Sequence, residues 1–170
     1  MPYKPPAMQI ALIAVVDQNL AIGRGGDQLA YIGGDLRRFK QLTTGQAIVM
    51  GRKTFAALPK GALPKRQNIV LTRDPGLQLP GCSMATTPEA ALRAAAGQEQ
   101  CFIIGGGEIY KAFLPLAHRL YLTHIHHRFE GADTWFPQWL PGDWHSVECG
   151  PTQVDEKTGL HYHYETLERR

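Results

Sequence analysis

Apolar residues fall along this chain in short, dense runs set between longer amphipathic or polar stretches. The run Gln9–Val16, QIALIAVV, is apolar almost throughout and reads as a buried strand, although periodicity alone leaves a helix open. Residues 17–28 are polar and contain Gly23, Gly25 and Gly26, so a mobile loop is predicted there. A helix is predicted over 34–43. AIVM at 47–50 is a second buried strand, passing through Gly51 into another helix, and 58–64 is a loop rich in Pro and Gly. NIVLT at 68–72 is a third strand, and 83–85 is a weak one. Thr87 is a good N-cap with Pro88 at the first helical position, opening an Ala-rich helix. A short buried strand at 102–104 runs into Gly105-Gly106-Gly107 and a helix from about Glu108. The strand at 120–125 follows, and two polar alternating runs, 145–148 and 161–167, suggest an antiparallel edge hairpin. Strands alternating with helices predict an α/β single domain. Its central sheet has eight strands, mixed and mostly parallel, flanked by about four helices and closed by an antiparallel C-terminal strand.

The helix at 34–43 carries an anomaly. At roughly 100° per residue, Asp35, Leu36, Phe39 and Leu42 share one side, while Arg37, Arg38, Lys40 and Gln41 point the other way. Asp35 therefore lies on the face meant for burial. One reading is a first-turn acid that stabilises the helix dipole by roughly 0.5–1 kcal/mol. A cap needs no apolar neighbours, however, and a buried carboxylate is costly unless paired. A cleft carboxylate facing a cationic or amidine-like ligand resolves that cost, and this reading is preferred.

Two strand–glycine–helix junctions, IVMGRKTF and FIIGGGEIY, suit phosphate, because free N–H groups and the helix dipole meet there. Either alone is equally readable as an ordinary tight turn. Together on one sheet they fit a dinucleotide, and Arg52, Lys53 and Arg73 favour NADPH over NADH. Neither is a spaced G-x-G-x-x-G fingerprint. The run Thr123-His-Ile-His-His127 puts His124 and His126 on one strand face, and His161 and His163 could join them around zinc. With no Cys or carboxylate completing a set, surface histidines are the preferred reading.

Composition narrows the class rather than naming it. The chain has 170 residues and a net charge of only +3, with its basic residues scattered, so nucleic acid is not an expected partner. Its three Cys have no metal-type spacing and read as reduced thiols in a cytoplasmic protein. No segment is long and apolar enough to span a bilayer. MPYKPPA, residues 1–7, reads as a flexible extension without a signal peptide's apolar stretch, ahead of a domain over 8–170. A monomer is expected.

Taken in order, LIAVVDQNLAIG, DLRRFK, IVMGRKTF, LPKRQNIVLTR, FIIGGGEIY, LYLTHI, ADTWFP and YETLERR resemble dihydrofolate reductases of the bacterial chromosomal type, from Met8 to Arg170. The resemblance implies NADPH-dependent reduction of 7,8-dihydrofolate to tetrahydrofolate, and binding of antifolate inhibitors. Asp35 then resembles the single active-site acid that takes hydrogen bonds from the pterin, supported by Thr123. Ile13, Ala14, Leu36, Phe39, Leu58 and Leu63 resemble the substrate walls, and Arg66 the partner of the glutamate tail's α-carboxylate. Ala14 and Ile22 resemble residues beside the nicotinamide. Gly51, Arg52, Lys53, Thr54, Leu71, Thr72 and Arg73 match the adenosine-phosphate side. Ile104, Gly105, Gly106, Gly107, Glu108, Ile109 and Tyr110 match the pyrophosphate loop and its helix, where the family's first Gly–Gly bond is cis. Asp133 resembles an outer-loop acid that holds the 17–32 loop closed.

The chain departs from the family's habit at two places. Ala30 stands where a Trp is usual, and Gly33 where Pro or Ser is common. Two other readings stay open from sequence: the pyrimidine reductase of riboflavin synthesis, which shares the fold, and a non-catalytic module binding pteridine or NADPH. The joint presence of Asp35, Phe39 and Arg66 favours folate.

Overall fold

A computed structural model describes residues 7–170, so the extension expected over 1–7 falls, except for Ala7, outside the described residues. The elements run β1 (Gln9–Val16), β2 (Ala21–Arg24), β3 (Asp27–Gln28), α1 (Gly33–Thr43), β4 (Ala47–Gly51), α2 (Arg52–Ala56), β5 (Gln67–Leu71) and β6 (Cys82–Ala85). Then come α3 (Pro88–Ala94), β7 (Gln100–Gly105), α4 (Gly107–Phe113), β8 (Arg119–Ile125), β9 (Thr134–Trp135), β10 (Trp144–Cys149), β11 (Gln153–Val154) and β12 (His161–Arg169).

The main sheet has the path β10-β12-β8-β1-β7-β4-β5-β6, eight strands, with β11 added against β12. Every pair from β8 through β6 is parallel, whereas β12 pairs antiparallel with β8, β10 and β11. The expected mixed, mostly parallel sheet with four helices is therefore the observed one. The predicted edge hairpin is present with its outer arm in two pieces: β10 and then β11 run antiparallel to β12 along the same edge, opposite residues 165–169 and 161–162.

The apolar run of β1 follows from its position between two parallel neighbours. Leu12, Ala14 and Val16 enter one core layer with Val49, Ile103 and Phe113, while Ala11 enters the other with Ile48, Met50 and Phe102. A strand covered on both faces has no solvent side on which to carry polar residues. Thr87 caps α3 as predicted, its side chain accepting from the Ala90 N–H.

Residues 17–28 are a correction. Instead of an irregular loop they form the β2–β3 hairpin, and β9 adds to it as a second, three-stranded sheet. The buried Asp17 carboxylate starts it, accepting from the N–H groups of Asn19, Ala21 and Phe129 at 2.8, 2.9 and 3.0 Å. At the far end the Asp133 carboxylate accepts from the Gly25 N–H at 2.9 Å, and the Asp133 N–H donates to the Gly23 carbonyl at 3.0 Å. The glycines that suggested a loop supply its turn: Gly25 and Gly26 have φ of 61° and 83°, which side chains rarely adopt.

Candidate active site

One cleft of about 1680 Å³ opens where the parallel strands β1, β4, β5 and β7 end, between α1 and the β2–β3 hairpin. Ligands of open α/β sheets bind outside the carboxyl ends of strands in this way. Of the substrate- and cofactor-site residues that the resemblance implies, all line this cleft except Thr123. Thr123 is buried behind it and donates its hydroxyl to Asp35 Oδ1 at 2.5 Å.

Asp35 sits in the first turn of α1 but makes no cap: the cap position is Ile32, and no side chain of that turn accepts the helix's free N–H groups. The carboxylate faces the cleft. Burial pushes its pKa up, partly offset by the Thr123 hydrogen bond and the charge of Arg38. Leu36 is 46% exposed because it borders open cleft rather than packed core. Two residues assigned to the far side of the helix are not there. Arg38, three places after Asp35, turns inward and lays its guanidinium 4.0 Å from the Tyr164 ring centroid, and Lys40 reaches the cleft rim.

Arg66 reaches the cleft from the loop before β5. Its Nε donates to the Pro64 carbonyl at 2.9 Å and one Nη to Thr43 Oγ1 at 3.2 Å, which fixes the plane of the guanidinium. Burial lowers its pKa from the usual arginine value. A residue the sequence reading missed shapes this corner. Buried Asn68 accepts from the Leu63 N–H and donates to the carbonyls of Leu63 and Arg66, at 2.9, 2.8 and 3.0 Å. Leu63 and Arg66 thus share one side-chain clamp.

On the other half of the cleft the backbone is pared down for close approach. The Gly105–Gly106 bond is cis, as the resemblance implies. A Cβ on Gly107 would lie 2.9 Å from Thr134 Cγ2, one on Gly51 3.0 Å from Ile109, and one on Gly105 3.2 Å from the Tyr110 ring. Neither α2 nor α4 has a side-chain cap, so their first N–H groups have no side-chain acceptor, and both helix starts line the cleft. Arg52, Lys53 and Arg73 are exposed along its rim. This arrangement of bare glycine backbone, free N–H groups and cations fits a dinucleotide carrying an extra phosphate. Tyr110 joins the two halves: buried, it donates to the Ile13 carbonyl of β1 at 2.7 Å, and burial then the nearby Asp35 charge push its pKa well up.

Ala30, which stands where the resemblance implies an indole, packs against the buried cluster of Ile32, Ile125 and Tyr162. Tyr31 does not replace the lost ring: it is 50% exposed and gives its hydroxyl to Asp27.

The histidines do share the outer face of β8 and β12. His126 Nε2 and His163 Nδ1 are 2.7 Å apart, and His124 pairs with Glu165 at 3.0 Å. Among the described residues no three His, Cys, Asp or Glu side chains converge on a metal position. Burial, then neighbouring His124, hold the His163 pKa below 6.5, with Glu165 opposing. The unfolded chain takes up that proton first as pH falls. Stability from this site is thus complete above the unfolded value and lost as pH drops through the folded one. Urea midpoints at pH 7.5 and 5 are expected to differ less in His163→Gln than in the parent chain; an unchanged difference contradicts this assignment.

The comparisons agree with this geometry. The family model described as dihydrofolate reductase matches residues 9–169. A dihydrofolate reductase of Bacillus subtilis (strain 168) is 38% identical over 161 residues, covering 95% of each chain. One from Staphylococcus haemolyticus is 39% identical, covering 95% of this chain and 96% of its own. The solved structure of dihydrofolate reductase from Enterococcus faecalis, complexed with NADP(H) and RAB-propyl, superposes with a TM-score of 0.87. It is 34% identical and covers 95% of this chain and 96% of that one. With the family model spanning nearly the whole chain and such relatives matching end to end, the chain belongs to the dihydrofolate reductase family.

Proposed function

We propose that this chain is an NADPH-dependent oxidoreductase that reduces 7,8-dihydrofolate to 5,6,7,8-tetrahydrofolate, supplying one-carbon metabolism and thymidylate synthesis. The observation that carries the reading is that Asp35, held from behind by Thr123, and the Gly105–Gly107 cradle line one cleft. NADPH, when bound, supplies the hydride that reaches C6 of the pterin. The protein's own part is orientation, electrostatics and exclusion of water. Asp35 accepts from the pterin's 2-amino group and N3 side, and so turns and polarises the ring. Its carboxylate is held by Thr123 and does not itself touch N5; a water under the β2–β3 hairpin carries that proton.

Ile13, Ala14, Leu36, Phe39, Leu58 and Leu63 form the substrate walls in this reading, and Arg66 holds the glutamate tail. Ile22, Gly51, Arg52, Lys53, Thr54, Leu71, Thr72, Arg73 and the segment from Ile104 to Tyr110 take the cofactor. Residues 8–170 act as one catalytic domain, a cytoplasmic monomer with small-molecule partners, antifolates included, and no nucleic acid. No helix of the described residues is long and apolar enough to cross a membrane.

Mixing the protein with NADPH and dihydrofolate and following the reduced-nicotinamide absorbance tests the activity. Decay is expected. Binding of both without decay supports the non-catalytic module instead, and decay only with a ribityl-aminopyrimidine supports the riboflavin branch. Arg66→Lys is expected to raise KM for dihydrofolate about tenfold, because a point charge replaces a planar two-pronged donor, with NADPH affinity unchanged. A KM within twofold of the parent removes Arg66 from the substrate site.

A further inference from the structure

α1 begins without a cap of its own. Its cap position is Ile32, which has no polar side chain, and its first intrahelical bond runs from the Leu36 N–H to the Ile32 carbonyl at 3.0 Å. The N–H groups ahead of it need outside acceptors. One comes from far along the chain: Asp155, on the turn between β11 and β12, accepts from the Gly33 N–H through Oδ1 at 3.3 Å. Asp155 is only 7% exposed. Its Oδ2 is held from within the same turn by the Thr158 N–H at 3.0 Å and the Thr158 hydroxyl at 2.6 Å. The Asp155 backbone is fixed as well, its N–H on the Leu160 carbonyl and its carbonyl on the Gly159 N–H, both at 2.8 Å. The carboxylate is therefore set by its own turn before it meets α1. Thr158, chiefly through its hydroxyl, holds the Asp155 carboxyl below the usual range, so it stays a full negative charge at the positive end of the helix.

A second contact seats the same turn of helix. A Cβ on Gly34 would lie 2.6 Å from the Tyr162 hydroxyl, so α1 rests directly on the buried Tyr162 of β12. β12 is also the strand that pairs with β8, placing Tyr162 opposite Ile125 and Tyr164 opposite Thr123. The start of α1 and the hydroxyl that holds Asp35 thus take their positions from one piece of sheet.

We propose that Asp155 is a positioning residue for Asp35: by fixing the Gly33 amide it sets the first turn of α1, and with it the direction of the active-site carboxylate. The inference rests on Asp35 being the pterin's partner. It says that a turn more than a hundred residues away in sequence, bordering no part of the cleft, tunes substrate recognition without touching substrate.

A double-mutant cycle in the full chain tests it. Gly33→Pro deletes the donor at the first helical position, where Pro is well tolerated. Ile32 already has the φ of −106° and ψ of 117° that a following Pro demands, and a Cβ at Gly33 meets only Arg37 Nη1, at 3.5 Å. Asp155→Ala is expected to raise KM for dihydrofolate about tenfold, to shift the pH profile of kcat, and to speed hydrogen exchange at the Asp35 and Leu36 amides. NADPH affinity is expected to stay within twofold. In the Gly33→Pro background, Asp155→Ala is expected to change KM by less than twofold, since no donor is left to lose. Equal effects of Asp155→Ala in both backgrounds overturn the proposal and make Asp155 a fold residue only. Should Asp155→Ala fail to fold, Asp155→Ser in the same cycle, whose hydroxyl can still accept from the Thr158 N–H but is shorter than the carboxylate that reaches Gly33, reads the same coupling. The amide exchange is measured without turnover: normal exchange in the Asp155 variants overturns this inference, whereas absent dihydrofolate reduction in the parent chain overturns the functional reading.

Discussion

Asp35→Asn is expected to lower dihydrofolate turnover at neutral pH by about 100-fold or more, to leave NADPH affinity within about twofold, and to make the protein more stable. The loss follows from removing the charge proposed to orient and polarise the pterin; groups that act electrostatically at a reacting centre typically contribute about 10²–10³-fold. The gain in stability follows from the same burial. The folded state holds the Asp35 carboxyl above its ordinary value, with Thr123 and Arg38 only partly opposing the loss of solvent. A raised folded pKa means that the associated stability is complete below the unfolded value, near 3.9, and is lost as pH rises through the folded value. At pH 7 the parent chain bears this cost in full and the Asn variant does not, while the Asn carbonyl still accepts from Thr123. A gain on the order of 1 kcal/mol, roughly 2–4 °C in Tm, is expected at pH 7 and should shrink toward pH 4. Parent-like turnover removes Asp35 from the mechanism. A lower Tm at pH 7 refutes the account of its burial.

This trade between function and stability explains why Asp35 was legible in sequence. Only an acid at the helical spacing of Leu36, Phe39 and Leu42 marks a carboxylate on a face meant for burial, and that pattern is local. The parallel core was legible for a similar reason, since strands covered on both faces have nowhere to put polar residues. What escaped is long-range. Arg38 has the sequence look of a solvated cation, and only the arrival of Tyr164 from β12 offers it a ring to stack on. Asn68 reads as an ordinary polar start to a strand, and its clamp on Leu63 and Arg66 depends on how the intervening loop folds back. Residues 17–28 carry a loop's composition because the turn at Gly25–Gly26 needs glycine. Their strand character comes from β9, which lies more than a hundred positions away. Two adjacent glycines at the head of α1 read, in sequence, as a flexible entry to the helix. In the fold, each glycine meets a specific partner, Asp155 or Tyr162, so the same pair is a point of attachment.

The cofactor half of the cleft should be the least tolerant of any added atom, and Gly105→Ala is expected to show it most. Gly105 has φ of 121°, a region that residues with a Cβ rarely adopt, which costs of order 1–3 kcal/mol by itself. The new methyl would also lie 3.2 Å from the Tyr110 ring and hydroxyl, closer than ordinary contact. Tyr110 cannot yield without loss. Its ring is buried against Phe136, with centroids 5.0 Å apart, and its hydroxyl satisfies the Ile13 carbonyl on β1. Moving that hydroxyl leaves a buried acceptor unpaired and displaces the strand that carries Ile13 and Ala14 at the centre of the cleft. A total cost of roughly 2–4 kcal/mol, or about 5–15 °C in Tm, is expected. Because the strain falls on the loop proposed to receive the cofactor, NADPH affinity should weaken at least tenfold, measured by nucleotide titration at a temperature where the variant is still folded. Gly97→Ala is the control: its φ of 96° is also unfavourable to a side chain, but a Cβ there meets nothing within 4 Å and the residue borders no cleft. It should lose stability while keeping parent-like NADPH affinity. If both variants bind NADPH equally well, Tyr110 does not couple the glycine loop to β1, and the two halves of the cleft are joined only by the sheet beneath them.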